Sequence, residues 1–120
     1  MKDKIKLYDS ELRVMELLWE GEMSARELAE NLKERAGWSK TTTYTVIKKC
    51  VDKGAVSRRE PGFLCRAEIT RSEAQAYETE ELLDRMYGGR ADCLIAALIG
   101  GGRLSAEEIA SLKKIVEELE

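Results

Sequence analysis

Histidine is missing from this chain of 120 residues. Its absence removes every mechanism that needs imidazole as base, proton shuttle or metal ligand: Ser/His/Asp and Cys/His triads, HExxH zinc sites, and zinc fingers built on paired Cys and His. A single proline and only 6% aromatic residues argue against proline-rich linkers and aromatic-rich β-sandwiches. The three cysteines, Cys50, Cys65 and Cys93, form no CxC or CxxC pair. Neither a thiolate cage nor a disulfide framework has a local scaffold, and free thiols suit a reducing cytosol. Residues 1–4 lead into mixed polar sequence, without the apolar stretch of a signal peptide. The longest apolar run, residues 93–99, is far short of the ~20 residues that a membrane span requires. The expectation is a cytoplasmic, soluble protein that binds no metal or cofactor and does not enter the membrane.

A hydrophobic content of 43% suffices for one compact core, or for a small domain with a helical annex. The net charge of −3 hides an asymmetry. Residues 1–70 carry 14 Lys+Arg against 12 Asp+Glu, and residues 71–120 carry 6 against 11. Within residues 35–66, eight basic side chains (Arg35, Lys40, Lys48, Lys49, Lys53, Arg58, Arg59, Arg66) face only Asp52 and Glu60, a local charge of +6. A basic stretch inside an acidic chain signals an anionic partner.

Three S/T-x-x-E capping boxes mark helix starts: Ser24 with Glu27, Thr70 with Glu73, and Ser105 with Glu108. An earlier helix is expected over residues 10–20, with Leu12, Met15, Leu18 and Trp19 on its inner face. A second, over residues 25–35, presents Ala25, Leu28, Ala29 and Leu32 at i, i+3, i+4, i+7 and is broken by Gly37. The third starts at Ser39 as cap and stops at Gly54, with Thr43, Val46, Ile47 and Cys50 as its inner stripe. Residues 55–59 and 63–69 flank Glu60-Pro61-Gly62, where Pro then Gly favours a type II turn, so a β-hairpin is expected. Beyond Thr70 the chain is acidic and helical. A long helix runs to about Tyr87, an all-round apolar one spans residues 91–99 and must be buried, and a last one carries Ile109, Leu112, Val116 and Leu119 as an a/d seam. The fold class is therefore mostly α with a small β-hairpin: a winged helix-turn-helix domain over residues 1–70, then a helical dimerisation region over residues 71–120.

With its inner stripe turned to the core, the third helix presents Thr41, Thr42, Thr45, Lys48 and Lys49 outward, preceded by Ser39 and Lys40. Hydroxyls and amines on the first turns of a helix after a tight turn suit the major groove of DNA. Tyr44 lies to the side, within reach of a phosphate, and Arg58, Arg59 and Arg66 supply the hairpin with point charges that give affinity without sequence information. Cations late in any helix also complement its dipole, so the charge over helix plus hairpin, rather than Lys48 and Lys49 alone, carries the signal. The tryptophans fit core or turn packing, and the paired glutamates Glu80-Glu81, Glu107-Glu108 and Glu117-Glu118 fit solvated helix faces. No nucleophile with a base, metal cluster or phosphate loop points to an enzyme.

Three blocks resemble one family. Residues 7–19, LYDSELRVMELLW, are similar to the opening helix of the BlaI/MecI/CopY (penicillinase) repressors, with its E-x-x-V/I-M-x-x-L/I-W core. Residues 38–49, WSKTTTYTVIKK, resemble that family's W-S-x-x-T-V-x-T-x-L-x-R-L recognition helix, and residues 104–112, LSAEEIASL, its L-S-x-E-E-I-x-x-L terminal helix. The resemblance spans about residues 7–119. It implies a transcriptional repressor that binds an inverted repeat of double-stranded operator DNA as a homodimer, with base contacts on Thr41, Thr42 and Lys49 and dimerisation through Leu94, Ile95, Leu98, Ile109, Leu112, Val116 and Leu119. Lys49 stands where the family has Arg, Cys50 where it has Leu, and Thr43 where it has a larger aliphatic residue. The C-terminal CxC of the copper-responsive branch is absent. In the β-lactam branch a membrane-bound metalloprotease cuts an Asn-Phe bond in the short helix; the matching pair here is Ala97-Leu98. Release by such a sensor protease is therefore an expectation of the resemblance. The alternative is a winged helix whose basic face docks on an acidic protein and reads no DNA.

Overall fold

The computed structural model describes residues 5–119, so the expectation for residues 1–4 lies outside the described residues. Its elements follow in the order α1 (Asp9–Leu18), β1 (Met23–Ser24), α2 (Ala25–Ala36), α3 (Lys40–Asp52), β2 (Val56–Arg59), β3 (Leu64–Ala67), α4 (Arg71–Tyr87), α5 (Ala91–Gly100) and α6 (Ala106–Glu117). The chain divides into two compact units, Met1–Glu78 and Thr79–Glu120, and the division falls inside α4.

Local chemistry explains the helix boundaries of the first unit. Ser24 Oγ accepts from Glu27 N at 3.1 Å while Glu27 Oε1 accepts from Ser24 N at 2.9 Å, so two orphan donors at the start of α2 are satisfied reciprocally. Gly37, with φ 70, ends α2 in the left-handed conformation that a Cβ disfavours. Thr70 and Glu73 repeat the reciprocal bonds at α4, at 3.0 and 2.8 Å. The inner stripes of α2 and α3 are those expected from the sequence: Ala25, Leu28, Ala29 and Leu32 pack with Thr43, Val46, Ile47 and Cys50 in one buried layer, except that Thr43 Oγ1 lacks a hydrogen-bond partner there.

The face of α1 differs from the expected one. Val14, Met15, Leu17 and Leu18 are buried, but Leu12 is 39% exposed and Glu11, only 3% exposed, takes the inward place. The cause lies in a cation brought from the far end of α3: Lys53 Nζ meets Glu11 Oε1 at 2.6 Å and donates to the Lys6 carbonyl at 2.7 Å. A buried carboxylate with such a partner turns the helix about its axis, and Leu12 is displaced outward. Trp19 packs against the core as expected, its Nε1 donating to the Ile69 carbonyl at 2.8 Å.

The sheet has the order β1-β3-β2, all antiparallel, and so holds a third short strand that the sequence patterns did not reveal. Ser24 is both the cap of α2 and the partner of Leu64, and Ala25 N donates to the Phe63 carbonyl at 2.9 Å. The hairpin turn occupies residues 60–63: Gly62 has φ 89, and Phe63, expected in the strand, instead joins the turn with φ 51.

In the second unit, Ser105 and Glu108 form the capping box of α6, at 2.8 and 3.1 Å. Neither α5 nor α6 contains a buried residue. The expectation that residues 91–99 are buried is therefore corrected for the single chain: Ile95, Leu98 and Ile99 are exposed, as are Ile109, Ile115 and Val116 on α6. Ten residues of helix have too few neighbours within this unit to cover an apolar surface on all sides. Leu119 lies two residues past the end of α6.

Candidate nucleic-acid interface

The outward side of α3 is set by its cap and its stripe together. Ser39 Oγ accepts from Thr42 N at 3.1 Å, and its hydroxyl bonds that of Thr42 at 2.9 Å. With Thr43, Val46, Ile47 and Cys50 buried, Lys40, Thr41, Thr42, Thr45, Lys48 and Lys49 are exposed, as the sequence analysis expected, and Tyr44 is half-buried. Lys40, Thr41, Tyr44, Thr45 and Lys48 line one shallow groove. The uncompensated N–H groups of the first turn and these side chains make a hydrogen-bonding, cationic surface suited to base edges and phosphates.

The structure does not bring the hairpin arginines onto one face. Strand pairing sets Arg58 opposite Cys65, Arg59 opposite Leu64 and Ser57 opposite Arg66. Directly opposed residues share a face, so Arg58 lies with Val56 and Cys65 on the side towards α3, while Arg59 and Arg66 lie on the other. Each arginine has a carboxylate partner: Arg58 with Glu60 at 3.0 Å, Arg59 with Glu22 at 3.4 Å and Arg66 with Glu68 at 3.5 Å. Lys48 pairs with Asp52 at 3.1 Å. Exposed pairs of this kind are worth about 0–1 kcal/mol, so at Arg59, Arg66 and Lys48 a phosphate can replace the carboxylate with little penalty. The hydrogen bond from Arg58, with help from Phe63 N, holds the Glu60 carboxyl below its ordinary range. Lys53, counted in the basic stretch, is removed from this surface by its bond to Glu11.

Two aromatic rings, one on α3 and one in the hairpin turn, tie the hairpin to α3. Tyr44 meets Phe63 edge to face, centroids 5.8 Å apart at 87°. The Arg58 guanidinium lies 3.8 Å from the centre of the Phe63 ring, and Lys40 Nζ is 5.6 Å from that of Tyr44. Phe63, expected to share a strand face with Cys65, sits instead in the turn, and its ring lies beneath the Arg58 guanidinium. Of the expected dimerisation residues, Leu94, Ile95 and Leu98 lie on α5 and Ile109, Leu112 and Val116 on α6, with Ala97 beside Leu98. Burial raises the thiols of Cys50, to about 12, and Cys65, whereas Cys93 is exposed. Among the described residues no group of His, Cys, Asp or Glu could hold a metal ion, and no helix is long and apolar enough to cross a membrane.

Helix, turn, cationic helix and cationic hairpin define the winged-helix class of DNA-binding folds. The penicillinase repressor family matches residues 7–118, and the chain belongs to that family. It is 28% identical to the penicillinase repressor of Bacillus licheniformis over 121 residues, which cover 98% of this chain and 94% of that one. It is 22% identical to the methicillin resistance regulatory protein MecI of Staphylococcus aureus (strain N315), with 94% of each chain covered. Among solved structures, the DNA-binding domain of the repressor BlaI matches with a TM-score of 0.55 at 28% identity, over 61% of this chain and 93% of that one. The monomeric form of B. licheniformis BlaI in complex with the blaP half-operator matches with a TM-score of 0.52 at 27% identity, with the same coverage.

Proposed function

We propose that the chain is a sequence-specific transcriptional repressor that binds an inverted-repeat operator in double-stranded DNA as a homodimer, and that loss of the dimer releases it. The observation that carries this reading is the outward face of α3, where Thr41, Thr42, Thr45, Lys48 and Lys49 stand exposed above a buried stripe. The likeness to a BlaI domain solved on its half-operator supports the same use of that face. Thr41, Thr42 and Lys49 contact base edges; Ser39, Lys40, Tyr44, Thr45, Lys48, Arg58, Arg59 and Arg66 contact phosphate and sugar, fixing register without reading sequence. Lys49 offers a point charge in place of a bidentate arginine fork.

Homodimerisation is supported by the number of large apolar side chains that α5 and α6 leave exposed, since apolar surface of that kind gains by being covered in an interface. One winged helix alone makes few base contacts. Joining two makes the second contact intramolecular, a gain of about 10²–10⁴ in affinity. Breaking the dimer is thus sufficient for induction, and no change in α3 is required. A membrane-bound sensor protease cutting in or beside α5, at Ala97-Leu98, would do so; glycines at 88, 89, 100, 101 and 102 lower the cost of opening that helix. The protein works in the cytoplasm, where the operator is.

Selection of fragments by the purified protein from a random duplex pool tests the reading. An inverted repeat should emerge, and its affinity should fall roughly 10³–10⁵-fold between 50 and 200 mM salt for 6–10 neutralised phosphates. Recovery of unrelated sequences would contradict it.

A further inference from the structure

Phe63 occupies a backbone conformation that its side chain does not favour. Its φ of 51 lies in the left-handed region, where Gly or Asn is the usual occupant and a bulky residue is strained. Four contacts hold it there. Its N–H donates to Glu60 Oε1 at 3.2 Å, and its carbonyl accepts from Ala25 N at 2.9 Å. Its ring takes the edge contact with Tyr44 of α3, and the Arg58 guanidinium stacks on it at 3.8 Å. Glu60 also accepts from Arg58 Nε at 3.0 Å through its second oxygen. The planar group of Arg58 is therefore fixed twice, by a ring across its face and by a carboxylate at its Nε edge, and the Nη donors remain as a fork. Of the three hairpin arginines, only Arg58 has this mounting and lies on the α3 side of the sheet.

We propose that Phe63 is a positioning residue that holds Arg58 as a pre-oriented fork for one DNA backbone phosphate, at a fixed distance from the groove-facing side of α3. This rests on the DNA-binding reading above. A guanidinium ordered before binding loses less side-chain entropy when it meets a phosphate bidentately, so the ring contributes to affinity without touching DNA. Tyr44 extends the mounting to α3, so the wing and the recognition helix present their contacts in one register.

The test is binding of the full chain to its selected operator over a range of salt concentrations. Arg58→Ala should weaken binding at least about tenfold and lower the salt slope by about 2, because one phosphate contact is lost in each half-site of the dimer's operator. Arg58→Lys keeps the charge and hence the slope, but should lose nearly as much affinity, because a point charge cannot stack as a planar fork. Phe63→Asn suits the positive φ and removes the ring: the slope should stay, affinity should fall several-fold, and Phe63→Tyr should restore it. In the double variant Arg58→Ala/Phe63→Asn the loss should be no greater than for Arg58→Ala alone. Full affinity in Phe63→Asn, losses that simply add, or full affinity in Arg58→Lys would each overturn the proposal while leaving operator binding intact. Absence of any duplex binding by the unaltered chain would overturn both.

Discussion

Glu11 and Lys53, 42 residues apart in the chain, meet at 2.6 Å and fasten the start of α1 to the end of α3. Glu11 also accepts the Tyr8 N–H at 2.8 Å, and the Lys53 ammonium lies 4.6 Å from the centre of the Tyr8 ring. The anchorage is placed at the residue after α3, so it bears on the tilt of that helix as well as on stability. Lys53→Met should destabilise the fold by about 3 kcal/mol, the low side of what is lost when a buried charge is stranded, because Lys53 is itself partly exposed. Denaturant unfolding measures this. A midpoint unchanged from the parent would show that the pair is only a surface contact.

Thr43 should respond in the opposite direction. Its hydroxyl is fully buried at the centre of the α3 stripe with no hydrogen-bond partner. Thr43→Val exchanges that hydroxyl for a methyl of similar shape and should stabilise the protein by about 1 kcal/mol, while leaving operator affinity as it was. A loss of stability on thermal melting would mean that the hydroxyl is bonded in solution.

The thiols should separate cleanly by reactivity and by pH. Near neutral pH a thiol reagent should spare the buried Cys50 and Cys65 in the folded protein, whereas Cys93, exposed in the single chain, should be modified wherever no partner covers α5. Burial above all, then the nearby Glu11 carboxylate, pushes Cys50 up to about 12 from an ordinary 9.0. A thiol whose pKa is higher folded than unfolded keeps its proton longer in the native state. Its contribution is complete below about 9 and is lost as pH rises towards about 12. Cys50→Val removes this dependence, so the gap between parent and variant in unfolding free energy should widen in the variant's favour as pH is raised through that window. Parallel curves would show that Cys50 does not titrate on unfolding.

The apolar faces of α5 and α6 lead to a separate expectation. The unaltered chain should sediment as a dimer at micromolar concentration. Val116, 59% exposed, is placed to carry a charge into that contact. Val116→Glu should yield a folded monomer whose operator affinity is lower by at least about tenfold, the small end of the gain from linking two half-sites. A parent chain that sediments as a monomer would refute the release mechanism outright.

Much of this architecture was legible in the sequence because it is local. Each capping box spans four residues, and the stripes of α2 and α3 follow from helical periodicity alone, so the outward position of Thr41, Thr42, Thr45, Lys48 and Lys49 could be read directly. What escaped depends on partners distant in the chain. The inward turn of Glu11 requires Lys53, and the short strand β1 exists only because β3 pairs with it. The splitting of Arg58 from Arg59 and Arg66 follows from hairpin register, which composition does not record. The apolar run of residues 93–99 suggested burial that the single chain does not provide, because a sequence pattern records the apolar surface of a helix and not whether neighbours exist to cover it.

Binding of Lys49→Ala to the selected operator bears most directly on the claim that the outward face of α3 reads DNA. Lys49 is exposed on that face and points away from the core stripe, so its removal leaves the fold in place. The expected result is a loss of about 1–3 kcal/mol, with preference relaxed at one base pair in each half-site. Undiminished affinity and unchanged preference would contradict the placement of this helix in the groove.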